Sequence, residues 1–491
     1  MDAVMKIEKF NICNFVIDVA VCFEVQAKVR TPRISIVFDS SSGNRRLPMK
    51  TRIDGNRITA EGKYDAPYIF YKENPGCISI SFVFSNGTDA GSEYKTDLTV
   101  TSLKKRPFSH FINSTRREKL KSCITLALNT LSLVFRCQKI KPNRVTFITN
   151  RTDVPTGNLK AVYNSVSKID GLDIHLLCSS GGMRAVLPVL FKFMQLYMTS
   201  KVVFVDDYYH LLSYVSKRRG TKLVQLWHGC GAFKTIGFSR FHKTSVLELY
   251  SANHRQYDVA LVSSPEVKDF YAEAFGISRE KVLALGSPRC DVLTSKKYQK
   301  RVSARFYKKH PELQGKKLLL FAPTFRGRGN SDCYYPTERF NVDRVLDVLG
   351  DEWAVLIKLH PYLKEHFTCS DKNRGRMLDC FDSDVNDILI VSDFLVTDYS
   401  SVIFEASILD KPMAFLTFDL EEFIASRDFY YDFRSFVPGP IVNTDAEAAE
   451  IAASGNYDLK RVRDFKQMAF GDTLGNACEN LKELTIKLLK E

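Results

Sequence analysis

Hydrophobic positions along the chain are spaced in two different ways. Up to about residue 105 they fall in short alternating runs, RISIVFD over 33–39 and ISISFVF over 78–84, the second followed by the turn-forming Ser85-Asn86-Gly87. A period of two predicts strands with one buried face, so this segment is expected to fold as a small β-sandwich. From Val145 the pattern changes to short continuous apolar runs separated by helix-length stretches: VTFIT, DIHLLC, VVFVD, LVQLW and DVALV, then KVLAL, KLLLF, AVLIKL, FLVTD and MAFL. Strands buried on both faces and alternating with helices predict parallel sheets covered on both sides. Ten runs exceed the usual size of one open sheet. The expected fold class is therefore α/β: a β-rich accessory domain over 1–105, then two facing Rossmann-like domains over 106–280 and 281–491. The break is expected near 280, around the turn Gly286-Ser287-Pro288.

Composition narrows the class of partner. The 491 residues carry a formal net charge of +14, which favours an anionic partner but does not choose among nucleic acid, lipid surface and phosphate-rich substrate. Twelve cysteines are scattered with no CxxC pair and no Cys/His cluster at metal-ligand spacing, so they are expected to be reduced thiols. The first residues, MDAVMKIEKF, lack the pattern of a secretory signal. The apolar run CITLALNTLSLVF over 123–135 is shorter than the roughly 20 residues that span a bilayer. Arg116, Arg117, Lys119 and Lys121 precede it and Arg136, Lys139, Lys141 and Arg144 follow it. That arrangement suits a helix lying on anionic lipid, and equally a core helix with solvated ends. The stretch 183–199, with Pro188 inside it, is a second apolar and cationic segment whose spacing fits core packing better.

In open α/β sheets ligands bind beyond the carboxyl ends of the strands, which singles out residues just after each run. LVQLW leads directly into His228-Gly229-Cys230-Gly231, where glycines let backbone N–H groups approach an anion. Lys358 and His360 end another strand, two residues apart and so on one side of an extended chain. Pro323 and Thr324 end a third, followed by Arg326 and Arg328, whose planar forks suit phosphate. FLVTD opens into Ser400-Ser401, expected to start a helix whose free N–H groups receive phosphate oxygens. Glu405 is one turn on, placed to accept from a ribose diol. Arg289 follows the fifth such strand. Taken singly, each site is also what a structural turn, a surface loop or an N-cap would show. Together, two imidazoles, several cations and a helix start suit transfer of a phosphate-bearing group from a nucleotide diphosphate. The chain has no Walker lysine loop, Gly-rich dinucleotide fingerprint or kinase catalytic-loop set. Asp206-Asp207 and Asp382-Ser383-Asp384 lack supporting clusters, so neither a bound metal nor a cofactor is expected.

The ordered set WHGCGAFKTIG, GSPRCD, FAPTFR, KLHP and SDFLVTDYSSVIFEASILDKPMAFLTFDLEEF, followed by RDFYYDF, resembles the CDP-glycerol glycerophosphotransferase family over roughly residues 145–480. The resemblance implies a glycosyltransferase B-type fold, CDP-glycerol or CDP-ribitol as donor, a lipid-linked polyol-phosphate or glycan acceptor, and no nucleic acid. It also implies peripheral attachment to the cytoplasmic face of the plasma membrane, on an anionic surface. Carried over by motif, His228 and His360 would be catalytic. Gly229, Cys230, Gly231, Ala232, Arg289, Pro323, Thr324, Lys358, Leu359, Ser400, Ser401 and Glu405 would bind donor. Arg326 is added on charge and position alone, to neutralise the transferred phosphate. Cys230-Gly231 stand where many members have Thr-Pro, and Lys358 where arginine is common. Two other expectations fit the same residues: a nucleotide-sugar glycosyltransferase of this fold in surface polysaccharide synthesis, and a noncatalytic membrane-bound scaffold.

Overall fold

The computed structural model describes residues 3–13, 16–26, 32–40, 43–65, 77–86, 91–100, 116–180, 183–240, 254–327, 332–363, 365–427 and 429–491. Arg328 lies outside these residues, as do the side chains of Arg116 and Arg117.

The N-terminal part is a sandwich of two four-stranded antiparallel sheets. One runs Ala3–Cys13, Val16–Val25, Arg57–Asp65, Lys50–Asp54, and the other Gly43–Pro48, Pro32–Ser40, Ile78–Asn86, Ser92–Val100. The alternating residues do what their period requires: Ile34, Ile36 and Phe38 meet Ile80, Phe82 and Phe84 in one core with Val19, Val21 and Phe23. The sandwich is tied to the rest through Glu273, which is buried in the helix Lys268–Phe275. This carboxylate accepts from Ser35 Oγ at 2.7 Å and Ser239 Oγ at 2.7 Å and pairs with Arg33 at 3.3 Å and Arg46 at 3.5 Å. Burial alone would raise its pKa; the two arginines and two hydroxyls outweigh that and hold it below the usual range.

Two six-stranded parallel sheets follow. The first has the spatial order Asp173–Cys178, Lys141–Thr149, Ser200–Val205, Lys222–Gln225, Val259–Val262, Val282–Ala284. The second runs Met377–Asp379, Trp353–Ile357, Lys317–Phe321, Phe394–Thr397, Met413–Leu416, Ile441–Val442. All ten apolar runs are strands, and two short edge strands, Met377–Asp379 and Ile441–Val442, join them. Val282–Ala284 pairs with Val259–Val262, so the change of sheet comes after Ala284. The chain also crosses back at its end: Leu481 and Leu488 of the helix Ala477–Lys490 enter the core of the first sheet beside Val145, Leu159 and Phe204.

Numbered by chain position within each sheet, the orders are 2-1-3-4-5-6 and 3-2-1-4-5-6, each with one place where connections diverge to opposite sides. In the first sheet that switch lies between Lys141–Thr149 and Ser200–Val205, which places Arg151 and Asp206-Asp207 at the crevice. In the second it lies between Lys317–Phe321 and Phe394–Thr397, which places Pro323, Thr324 and Asp398 there. Fold topology alone thus selects two groups of residues on which a ligand can be held.

Candidate active site

The strand Lys222–Gln225 ends two residues before Trp227, whose φ of 51° is unusual for a bulky residue. Three hydrogen bonds impose it. Trp227 N donates to Gln225 Oε1 at 2.8 Å, and Asn158 Nδ2 donates to the carbonyls of Leu226 at 3.2 Å and Trp227 at 2.8 Å. The turn aims His228 along the sheet's carboxyl edge. The following loop is shared between the cores: Ala232 is buried with Trp227 and Leu223 of the first, Cys230 and Phe233 with Leu320, Leu395 and Phe404 of the second. Gly231, at φ 58°, passes so near Phe404 that a Cβ there would lie 2.4 Å from its ring, which explains glycine at that point. A loop anchored in both halves fixes His228 relative to the opposing sheet.

His228 Nδ1 lies 3.4 Å from Asp207 Oδ2, and the same carboxylate oxygen lies 3.3 Å from Arg151 Nε. The imidazole side chain keeps 37% of its surface open, but it stands at the floor of a cleft. Burial there outweighs the Asp207 carboxylate, which acts to raise the pKa, and with the cations Arg151 and Arg289 brings it down to about 4. At neutral pH it is an unprotonated base with a carboxylate beside Nδ1, leaving Nε2 to take a proton. Its neighbour Asp206 is pushed up to about 6 by burial.

His360 comes from the second half, just beyond Trp353–Ile357. Its Nδ1 accepts from Tyr362 N at 3.2 Å, and Phe325 and Tyr362 pack on the ring. Burial brings it too to about 4, reinforced by Lys234, Lys358, Arg151 and Arg427. Arg151 acts to lower the pKa of both imidazoles, so its charge is felt by a histidine at the carboxyl edge of each sheet. Lys358 donates to the Phe381 carbonyl, and burial lowers its pKa.

The remaining predicted residues divide by exposure. Gly229, Arg289, Ser400 and Ser401 retain open surface, whereas Cys230, Gly231, Ala232, Pro323, Thr324 and Leu359 are buried. Leu359 contributes its side chain to the core of the second sheet, so only its backbone is available to a ligand. Thr324 N donates to Asp398 Oδ1 at 2.7 Å, which shapes the second switch point. The helix after Ser400 begins at Val402; Ser401 makes no side-chain cap, and Val402 N donates to Ser400 Oγ at 3.4 Å.

Two expectations need correction. Arg326 was expected on the transferred phosphate; its fork is instead held by Asp419 at 2.6 and 2.9 Å, by Asp398 at 2.7 Å and by the Thr324 carbonyl at 2.6 Å. Every guanidinium nitrogen has a protein partner. Glu405 was expected to face a ribose; it is 1% exposed and its Oε1 pairs with Arg289. Contact with a sugar would require that pair to open. Residues that motif reasoning passed over are equally clear: Asp207 and Arg151 beside His228, and Asn158, whose Oδ1 accepts from Arg289 N at 3.0 Å while its amide holds the Trp227 turn.

The sequence profile of the CDP-glycerol:poly(glycerophosphate) glycerophosphotransferase family matches residues 130–486. The chain belongs to this family. The teichoic acid poly(ribitol-phosphate) polymerase of Bacillus spizizenii is 38% identical over 353 residues, covering 71% of this chain and 57% of that protein. The teichoic acid ribitol-phosphate polymerase TarL of Staphylococcus aureus is 34% identical over 407 residues, 79% of this chain and 72% of its own. The teichoic acid glycerol-phosphate primase of Bacillus subtilis is 30% identical over 297 residues, 60% of this chain and 75% of its own. The chain therefore spans a little over half the length of the Bacillus spizizenii poly(ribitol-phosphate) polymerase. Among solved structures, the wall teichoic acid polymerase TagF superposes with a TM-score of 0.60 at 19% identity, covering 77% of this chain and 98% of that one. That likeness is one of fold: paired Rossmann-like halves of glycosyltransferase B type.

Proposed function

We propose that this chain transfers a polyol phosphate from a CDP-alditol to a hydroxyl of a lipid-linked polymer, releasing CMP. The observation that carries the proposal is the placing of His228: Asp207 lies 3.4 Å from its Nδ1, and the loop that follows is buried in the cores of both halves. The acceptor oxygen attacks the β-phosphorus, its proton passes to His228 Nε2, and the bond from phosphorus to the bridging oxygen breaks as CMP departs. Asp207 stabilises the imidazolium that forms, Lys358 and Arg151 offset charge on the phosphates, and the neutral His360 donates its Nε2–H to a phosphate oxygen. The 281–491 segment would hold the nucleotide, with the helix start at Ser400-Ser401 on its phosphates, and 106–280 the acceptor. Ribitol is the favoured alditol, because the ribitol-phosphate polymerases are 38% and 34% identical and the glycerol-phosphate primase 30%. Incubation with CDP-ribitol and CDP-glycerol in parallel is expected to give CMP from the first at least about tenfold faster. A nucleoside diphosphate from a sugar donor instead would identify a glycosyltransferase, and donor binding without turnover a scaffold.

The membrane contact is the second part of the proposal. The helix Arg116–Arg136 docks through Leu128, Leu131 and Phe135, and Asn129 Nδ2 donates to the Tyr214 carbonyl at 2.6 Å. Its other side is apolar and open: Leu126 is 70% exposed, Val134 66% and Leu133 57%, with Phe191 of the next apolar helix at 64%. This is neither of the simple alternatives, since one face is core and the other is solvent-facing. No described helix is long and apolar enough to cross a membrane. An apolar strip beside Lys119 and Lys139 suits insertion at the headgroup level of anionic lipid. Replacing Leu126, Leu133 and Val134 together by serine is expected to abolish co-sedimentation with anionic vesicles, while CMP release with a soluble acceptor continues. Wild-type sedimentation indifferent to both lipid charge and salt would refute the contact.

A further inference from the structure

Behind His228 the fold brings together two thiols that are sixty positions apart in sequence. Cys230 and Cys290 are buried, and their sulfurs lie 3.1 Å apart. Ser287 Oγ is 3.0 Å from the Cys230 sulfur and 3.5 Å from that of Cys290. Glu405 Oε1 accepts from Cys230 at 3.5 Å, and the Arg289 guanidinium closes the group by pairing with Glu405. We propose that Cys230 and Cys290 form a reversible disulfide when the protein meets hydrogen peroxide, and that this bond shuts down the active site beside it. The chemistry of bond formation is independent of the transfer reaction proposed above; only its effect on turnover rests on that reaction.

The neighbourhood makes the pair unequal in the way disulfide formation requires. Burial pushes the Cys290 thiol up, but the Cys230 hydrogen bond, Arg289 and Ser287 outweigh it and hold the group below its usual range. The hydrogen bond to Cys290, with burial, pushes Cys230 well up. One sulfur is thus the better thiolate and its neighbour the resolving thiol. The Cys290 thiolate attacks one peroxide oxygen, the O–O bond breaks, and hydroxide leaves to become water. The sulfenic acid so formed is attacked by the Cys230 sulfur, which expels the second oxygen as water with the thiol proton. Two thiols and one peroxide give one disulfide and two waters; each sulfur loses one electron and each peroxide oxygen gains one. Burial restricts the oxidant to a small neutral molecule.

A metal is the competing occupant, because ligand atoms of Cys230, Cys290 and Glu405 all lie within 4.8 Å of one another. Arg289 argues against it. Its cation occupies the carboxylate that a metal would need and repels a second positive charge, while the same cation favours a thiolate.

Closing the bond draws the sulfurs from 3.1 Å to about 2.05 Å. Cys230 is two residues after His228, and Cys290 adjoins Arg289, so the contraction pulls on the two segments that position both, and displacements of a fraction of an ångström up to about 1 Å at such groups cost up to about a hundredfold in rate. The test treats the purified full chain with dilute hydrogen peroxide. Expected are a non-reduced peptide linking Cys230 to Cys290, two hydrogens lighter than its parts, and CMP release lowered at least about tenfold and restored by dithiothreitol. Cys290→Ala, and Cys290→Ser as the variant that keeps a hydrogen-bonding group, should form no link and keep their activity through the same treatment. Three results would overturn the proposal. One is both thiols still alkylatable after unfolding, at a dose that has consumed exposed Cys77, Cys123 and Cys137. The second is stoichiometric zinc in the reduced protein. The third is a link that forms while CMP release is unchanged. A chain with no CMP release at all but an intact peroxide-dependent link would refute the transfer reaction and leave the disulfide standing.

Discussion

His228→Ala is expected to slow CMP release from a CDP-alditol at least about a hundredfold while leaving CMP affinity and thermal unfolding close to wild type, the scale of losing a general base. His360→Ala should lose as much, because the neutral ring, whose Nδ1 accepts from Tyr362 N, offers its Nε2–H as a donor to a phosphate oxygen. The reasoning for His228 has three links. The forced turn at Trp227 points the ring into the cleft, burial keeps it unprotonated, and Asp207 stands ready to stabilise the imidazolium. The pH profile follows with a definite sign. A base with a pKa of about 4 is competent well below neutrality, so kcat/KM should hold down to about pH 5 and fall below it. A bound diphosphate adds negative charge beside the ring and raises its pKa, so the acid limb of kcat should lie at higher pH than that of kcat/KM. Asp207→Asn removes an anion that raises the imidazole's pKa and should move the kcat/KM limb further to acid, with a loss of about tenfold in rate. Wild-type turnover in His228→Ala would remove this residue from the chemistry.

Most of the architecture was legible because both kinds of spacing report burial directly. Period two gave the sandwich, and continuous apolar runs gave the parallel strands. The edge strands Met377–Asp379 and Ile441–Val442 were not legible, since three and two residues are too few to show any period. The candidate site was legible where a motif residue ends a strand, as His228 and His360 do. Arg151 and Asp207 were missed for a different reason. They matter because their strands flank the switch point, and strand order in a sheet is not written in the apolar pattern. The pairing of Cys230 with Cys290 was hidden similarly, because it depends on a loop shared between two cores. Arg326 marks the limit of arguing from side-chain chemistry. A guanidinium fork just past a strand has the same sequence signature whether it grips a phosphate or two carboxylates.

That ambiguity has an experimental resolution with a large expected effect. Asp398 is 1% exposed and sits at the second sheet's switch point, where it also accepts from Thr324 N and Tyr399 N. Asp419 fixes Tyr399 Oη at 2.9 Å. Two carboxylates in so buried a place are tolerable only while Arg326 compensates them; burial disfavours its charge, but the two aspartates outweigh that and push its pKa further up. Arg326→Met keeps an apolar side chain and deletes the guanidinium, whose carbon also lies over the Tyr335, Phe418 and Phe423 rings at 5.5, 5.3 and 5.6 Å. Losing one partner of a buried ionic group costs about 3–5 kcal/mol, which for a unit of this size lowers the melting temperature by about 10 °C. Adding Asp398→Asn and Asp419→Asn to the same chain removes the uncompensated charge and should recover much of the loss, a rescue that phosphate binding has no means to produce. Arg326→Lys keeps a charge without the fork and should fall between. A variant Arg326→Met that melts with the wild type but no longer binds CMP would return Arg326 to the phosphate, and would mean that the carboxylates are held apart by something other than this guanidinium.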